Sequence, residues 1–140
     1  MNFPQLAKYP EKGEFIFRAG DKLVDLCQKV AHSPGVYIFT SLKNGSELLV
    51  YIGASGTMNQ NGKFGNQLLN GRLSNMQNSK TRRQDFFEKK ISLDQLDSIK
   101  VNWWVTFDQS NNDLPMYVEA LLIQKYFDNH KNLPLWNAEF

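Results

Sequence analysis

The sequence predicts an α+β domain built on a small, three-stranded, largely antiparallel sheet flanked by helices. Three observations carry that reading. Two apolar runs, Pro34–Phe39 and Leu49–Gly53, flank Lys43-Asn44-Gly45, and Asn-Gly between apolar runs is a strong hairpin signal. Farther on, Ile99, Val101, Trp103, Val105 and Phe107 recur at every second position and share one face of a third strand. Between and after these runs, apolar residues recur at helical spacing.

Taken in order, residues 1–33 read as an N-terminal arm and helix packed on a domain formed by residues 34–140. Phe15-Ile16-Phe17 fits either an edge strand or a packed arm. Asp21 is placed to cap a helix whose apolar positions run from Leu23 to Ala31, and Ser33-Pro34-Gly35 ends it. After the hairpin comes a Gly- and Asn-rich loop over Ala54–Asn66, then a helix from about Gln67 to Gln77 and another from Ser79 to Lys90. The third strand follows. Asp113 and Pro115 open a last helix that runs to about Asn129.

The turn geometry decides whether Tyr37 and Tyr51 meet. A two-residue Asn44-Gly45 loop pairs Tyr37 with Ile52 and puts the phenols on opposite faces, because a slip of one residue flips every side chain. A three-residue Lys43-Asn44-Gly45 loop with a bulge glycine pairs Tyr37 with Tyr51 directly, and x-Asn-Gly favours that form.

Composition bounds the function. A chain of 140 residues with 41% hydrophobic and 13% aromatic residues has the length and content for one real core. The lone Cys27 excludes an internal disulfide and a cysteine-rich metal site. No basic-then-apolar leader and no membrane-length apolar run are present, so the expected location is cytoplasmic, without a membrane partner. A net charge of +2 does not by itself argue for nucleic acid.

Two charges sit where packing would not put them. Glu119 has Pro115, Met116, Leu122 and Ile123 as its helical neighbours, so a carboxylate stands on the inward stripe and needs a cation, a donor or a cleft. Arg72 lies among Leu68, Leu69 and Met76 and needs a carboxylate or an anionic ligand. The two could pair with each other. Lys63, Lys80, Arg82, Arg83, Lys89 and Lys90 add positive charge over the same central region, as a solvated face or as phosphate contacts. His32 and His130 lack ligand spacing.

Gly35-Val36-Tyr37, Tyr51-Ile52-Gly53, Arg72, Glu119 and Asn137, in that order and on those elements, resemble the GIY-YIG nuclease domain family from Pro34 to Asn137. The resemblance implies hydrolysis of a DNA phosphodiester with one divalent ion, Mg²⁺ or Mn²⁺. It implies Glu119 as the metal ligand, Tyr37 assisted by Tyr51 at the attacking water, Arg72 on the scissile phosphate, and Asn137 ordering the site. Gly53, Lys63, Lys80, Arg82 and Arg83 would then contact DNA, and a separate targeting protein would direct the cut. Two departures stand out: Met76 where the family often has His or Tyr, and Ala54 where it often has Lys, a place Lys63 could fill by folding back. They motivate the alternative of a nuclease-like nucleic-acid-binding module with impaired catalysis.

Overall fold

The computed structural model describes residues 2–140. The fold is α+β, and its sheet has four strands, not three. They are β1 (Lys12–Phe17), β2 (Gly35–Lys43), β3 (Ser46–Ser55) and β4 (Ser98–Val105), in the order β1-β4-β2-β3 and antiparallel throughout. The additional strand is the Phe15-Ile16-Phe17 run, which pairs Phe15 with Val101 and Phe17 with Ile99. Its alternation is too short to identify a strand without the exposed edge of β4 to receive it.

Helices cover both faces. On one face α1 (Leu23–Leu26), α2 (Leu69–Ser74) and α3 (Arg83–Asp94) bury Leu23, Leu69, Leu73 and Phe87 against Tyr37, Phe39, Val101 and Trp103. On the other, α4 (Pro115–His130) lays Val118, Leu122, Ile123 and Tyr126 over Val36, Ile38 and Ile52, with Phe3, Leu6 and Tyr9 of the N-terminal turn beside them. Trp103 and Trp104 accordingly face opposite layers. No helix among the described residues is long and apolar enough to cross a membrane.

Several boundaries differ from the sequence reading. The first helix is only one α-turn continued by a 3₁₀ turn over Cys27–Lys29. The Asp21 carboxylate is taken by the Arg18 N–H at 2.8 Å, so Asp21 closes the preceding turn instead of capping the helix; Gln84 Oε1 accepts from the Leu23 N–H at 2.7 Å in its place. The next helix stops at Ser74 because Asn75 leaves helical geometry. A tight loop follows, in which Asn78 Oδ1 accepts from the Lys80 and Thr81 N–H groups, and α3 therefore starts at Arg83. The last helix lacks a side-chain cap: the Asp113 carboxylate is held instead by Lys8 and the Tyr9 hydroxyl.

The hairpin corrects the expected turn. Lys43 pairs with Ser46, and Asn44 and Gly45 have φ of +50° and +79°, a two-residue turn that fits glycine and asparagine. Left alone, that turn would separate the two tyrosines. A bulge restores the parity: Thr40 pairs with Leu49 and Phe39 with Tyr51, which leaves Val50 as an extra residue. Leu49 then faces the α4 layer, while Val50 and Tyr51 both face α2 and α3. Tyr37 pairs with Gly53 instead of Tyr51, yet both phenols share one face.

Candidate functional site

The face shared by β2 and β3 carries a stack of three rings. Tyr37, Phe39 and Tyr51 lie nearly parallel, with Tyr37 and Tyr51 centroids 6.2 Å apart and Phe39 within 5.4 Å of each. The Tyr37 ring occupies the space above its cross-strand partner Gly53, where a Cβ would come within 2.6 Å of the ring. Gly53 is buried and acts as the seat of Tyr37; it is not a surface for substrate. Tyr37 itself is fully buried, and Tyr51 is half-buried.

Beyond this stack, the end of β3 opens into a cleft of about 600 Å³. Ala54, Ser55 and Gly56 contribute from the strand end, Arg72 from α2, and Met116 and Glu119 from α4. Met76 lines it as well, although it lies past the end of α2. Arg72 and Glu119, from helices on opposite faces of the sheet, therefore meet in one depression.

They do not pair. Among the described residues the ion pairs within 4.0 Å are Lys8–Asp113 and Lys100–Glu47, and no hydrogen bond engages the Arg72 guanidinium or the Glu119 carboxyl. Burial pushes the Glu119 carboxyl up to about 7, with the Arg72 charge opposing that shift. The Tyr51 hydroxyl is also pushed up, chiefly by burial and then by Tyr37, with Arg83 and Arg72 opposing and Glu119 adding to the rise. A phenol so placed is neutral at pH 7, and its O–H is available as a hydrogen-bond donor.

Asn137 does not line the cleft. Its side-chain amide forms a reciprocal pair with the main chain of Ile52, accepting from the N–H and donating to the carbonyl, each at 3.0 Å. With the Trp136 N–H on the Val50 carbonyl at 2.8 Å, it straps the C-terminal segment along the free edge of β3 and fixes the strand between Tyr51 and Gly53.

The expected DNA contacts divide. Lys80 is exposed beside Asn78 and Ser79, which border the cleft. Lys63 is exposed on a turn closed by Asn59 and does not line the cleft, so it does not replace the missing lysine at Ala54. Arg82 borders a different depression with Asp21 and Glu88. Arg83 is the clear correction: it is 0% exposed and cannot meet a DNA backbone. Its position was readable, since Arg83, Phe87 and Ile91 are spaced by four and form the buried stripe of α3.

The donor set fits one hard divalent ion and not a dedicated cage. No group of three or more His, Cys, Asp or Glu side chains occurs among the described residues. One unpaired carboxylate beside a free arginine suits an ion such as Mg²⁺, which keeps most of its waters and is completed by substrate phosphate. A second groove, of about 500 Å³, lies over Trp104 on the opposite face, but its Lys100 is paired with Glu47 at 3.0 Å. Comparison with protein-family models, with curated proteins and with solved structures finds no match to the chain.

Proposed function

We propose that the chain is a divalent-metal-dependent endonuclease that hydrolyses DNA phosphodiesters, of the GIY-YIG type that its motifs resemble. One observation supports this most: Arg72 and Glu119 line a single cleft with neither charge spoken for, at the end of the strand that carries Tyr51. A half-buried carboxylate and a half-buried guanidinium left apart at that cost suit a ligand bearing both signs.

In this reading Arg72 holds the scissile phosphate, giving fixed charge to the non-bridging oxygens as the phosphorus gains a bond. Glu119 would hold the ion, which when bound would supply positive charge at the leaving 3′ oxygen. Tyr51 orients the attacking water as a neutral hydrogen-bond donor, because its hydroxyl is raised and not lowered by its surroundings, and the buried Tyr37 hydroxyl, which accepts from Arg83, assists from behind it in the stack. Asn137 keeps the Tyr51–Gly53 strand in place through Ile52. Lys80 is the cation best placed to meet DNA at the rim, and a separate targeting protein would select the site.

A second reading, a nucleic-acid-binding module without cleavage, draws on the complete burial of Tyr37 and on Met76 in the cleft wall. Plasmid nicking in Mg²⁺ or Mn²⁺ separates the two. Cleavage by the wild type and by neither Glu119→Ala nor Tyr37→Phe is the expected result; salt-sensitive DNA binding with no cleavage under either metal favours the module.

A further inference from the structure

Arg83 is a buried cation with no anionic partner among the described residues. It is 0% exposed, and its partners are neutral: Nε donates to Gln77 Oε1 at 3.0 Å, Nη1 to the Arg72 carbonyl at 2.9 Å, and Nη2 to Tyr37 Oη at 3.3 Å. Its Cζ lies 5.1, 5.0 and 5.9 Å from the ring centroids of Tyr37, Phe39 and Tyr51, so the aromatic stack takes part of the missing counter-charge. Packing alone does not call for this. The other members of the same stripe, Phe87 and Ile91, are apolar, and an uncompensated buried charge costs more than an apolar side chain of similar size.

What the guanidinium supplies beyond packing is direction. Three N–H groups in a rigid fork reach β2, the end of α2 and the loop after it. Because Tyr37 Oη accepts from Arg83, its own O–H is turned away from that donor. Because the Arg72 carbonyl accepts from the same group, the last turn of α2, from which the Arg72 side chain enters the cleft, is fixed relative to Tyr37.

We propose that Arg83 is a positioning residue: one buried guanidinium sets the hydrogen-bond direction of the Tyr37 phenol and ties it to the main chain of Arg72. Its catalytic sense rests on the cleavage reading above; the coupling itself does not. A point charge on a flexible stem cannot span the three acceptors, so Arg83→Lys keeps the charge and loses the fork.

The test uses the full chain with ¹³Cζ-labelled tyrosine, the Tyr37 signal being identified by its loss in Tyr37→Phe. In folded Arg83→Lys and Arg83→Met the Tyr37 resonance is expected to move while those of Tyr9 and Tyr126, in the other core layer, stay in place. With DNA as substrate, kcat should fall by about 100-fold, the scale of a misplaced reacting group, and KM should change by less than about twofold. An unchanged Tyr37 resonance in Arg83→Lys overturns the proposal, as does wild-type kcat in that variant. If Arg83→Met does not fold, Arg83→Lys decides alone. If the wild type cleaves no DNA, the cleavage reading fails while the Tyr37 resonance still answers for the coupling.

Discussion

Tyr37 and Gly53 face each other across β2 and β3, and the tyrosine ring fills the volume that a side chain at Gly53 would need. The pairing explains why a glycine stands in a buried strand where β-branched residues are favoured. It also ties the two ends of the motif together, since Gly53 seats the phenol that stacks toward Tyr51.

Gly53→Ala should therefore cost about 2 kcal/mol, the usual size of overpacking in a rigid core, because its Cβ meets Tyr37 ring carbons at 2.6 and 2.7 Å and the hydroxyl oxygen at 2.8 Å, and that hydroxyl is held by Arg83. Thermal unfolding reads the loss. Retention of the wild-type melting temperature would mean that Tyr37 moves aside freely.

Glu119 links the cleft to pH. Its folded carboxyl is raised to about 7 from an ordinary 4.5, so the folded chain holds this proton more tightly than the unfolded chain. The associated stability is complete below about pH 4.5 and is lost as pH rises through about 7. Between those limits the wild type should lose about 2 kcal/mol relative to Glu119→Gln, a figure reduced for the partial exposure of the group. Denaturant unfolding at pH 5 and pH 8 measures it. Parallel changes in both proteins would show that Glu119 is not the group responsible.

Mn²⁺ should reverse that loss, because the ion binds the ionised carboxylate of the folded chain. At pH 8, a metal concentration 100 times the dissociation constant would add about 2.7 kcal/mol to the wild type and nothing to Glu119→Gln. Equal stabilisation of the two would place the ion elsewhere.

Asn137→Ala removes both bonds to Ile52 and leaves two edge groups of β3 without partners. A cost of about 1–2 kcal/mol is expected, with hydrogen-exchange protection falling most at the Ile52 amide. Unchanged protection there would show that the strap is held by Trp136 alone.

The residues that announced the site did so through conflicts with local packing. Glu119 and Arg72 each stood on an apolar stripe, a conflict visible at helical spacing, and both line the cleft. The hairpin and β4 were legible for the same local reason, a turn dipeptide and an unbroken alternation. What was not decided locally was set at a distance. Phe15-Ile16-Phe17 becomes the edge strand and not the packed arm because β4 has a free side, and the bulge at Val50 depends on which layers cover each face of the ribbon. Among its basic neighbours Arg83 suggests a solvated face or a phosphate contact, although its spacing from Phe87 and Ile91 marks it as inward. Charge drew attention to the cluster, and periodicity would have separated its one buried member.

The central claim, that Arg72 and Glu119 divide the binding of phosphate and metal within one cleft, is tested most directly by cleavage of supercoiled plasmid in Mg²⁺ or Mn²⁺. The wild type should nick the plasmid, and Glu119→Ala and Arg72→Ala should each lose at least about 100-fold while remaining folded, the scale on which removed charge stabilisation is felt. Nicking by either variant at the wild-type rate would contradict that division.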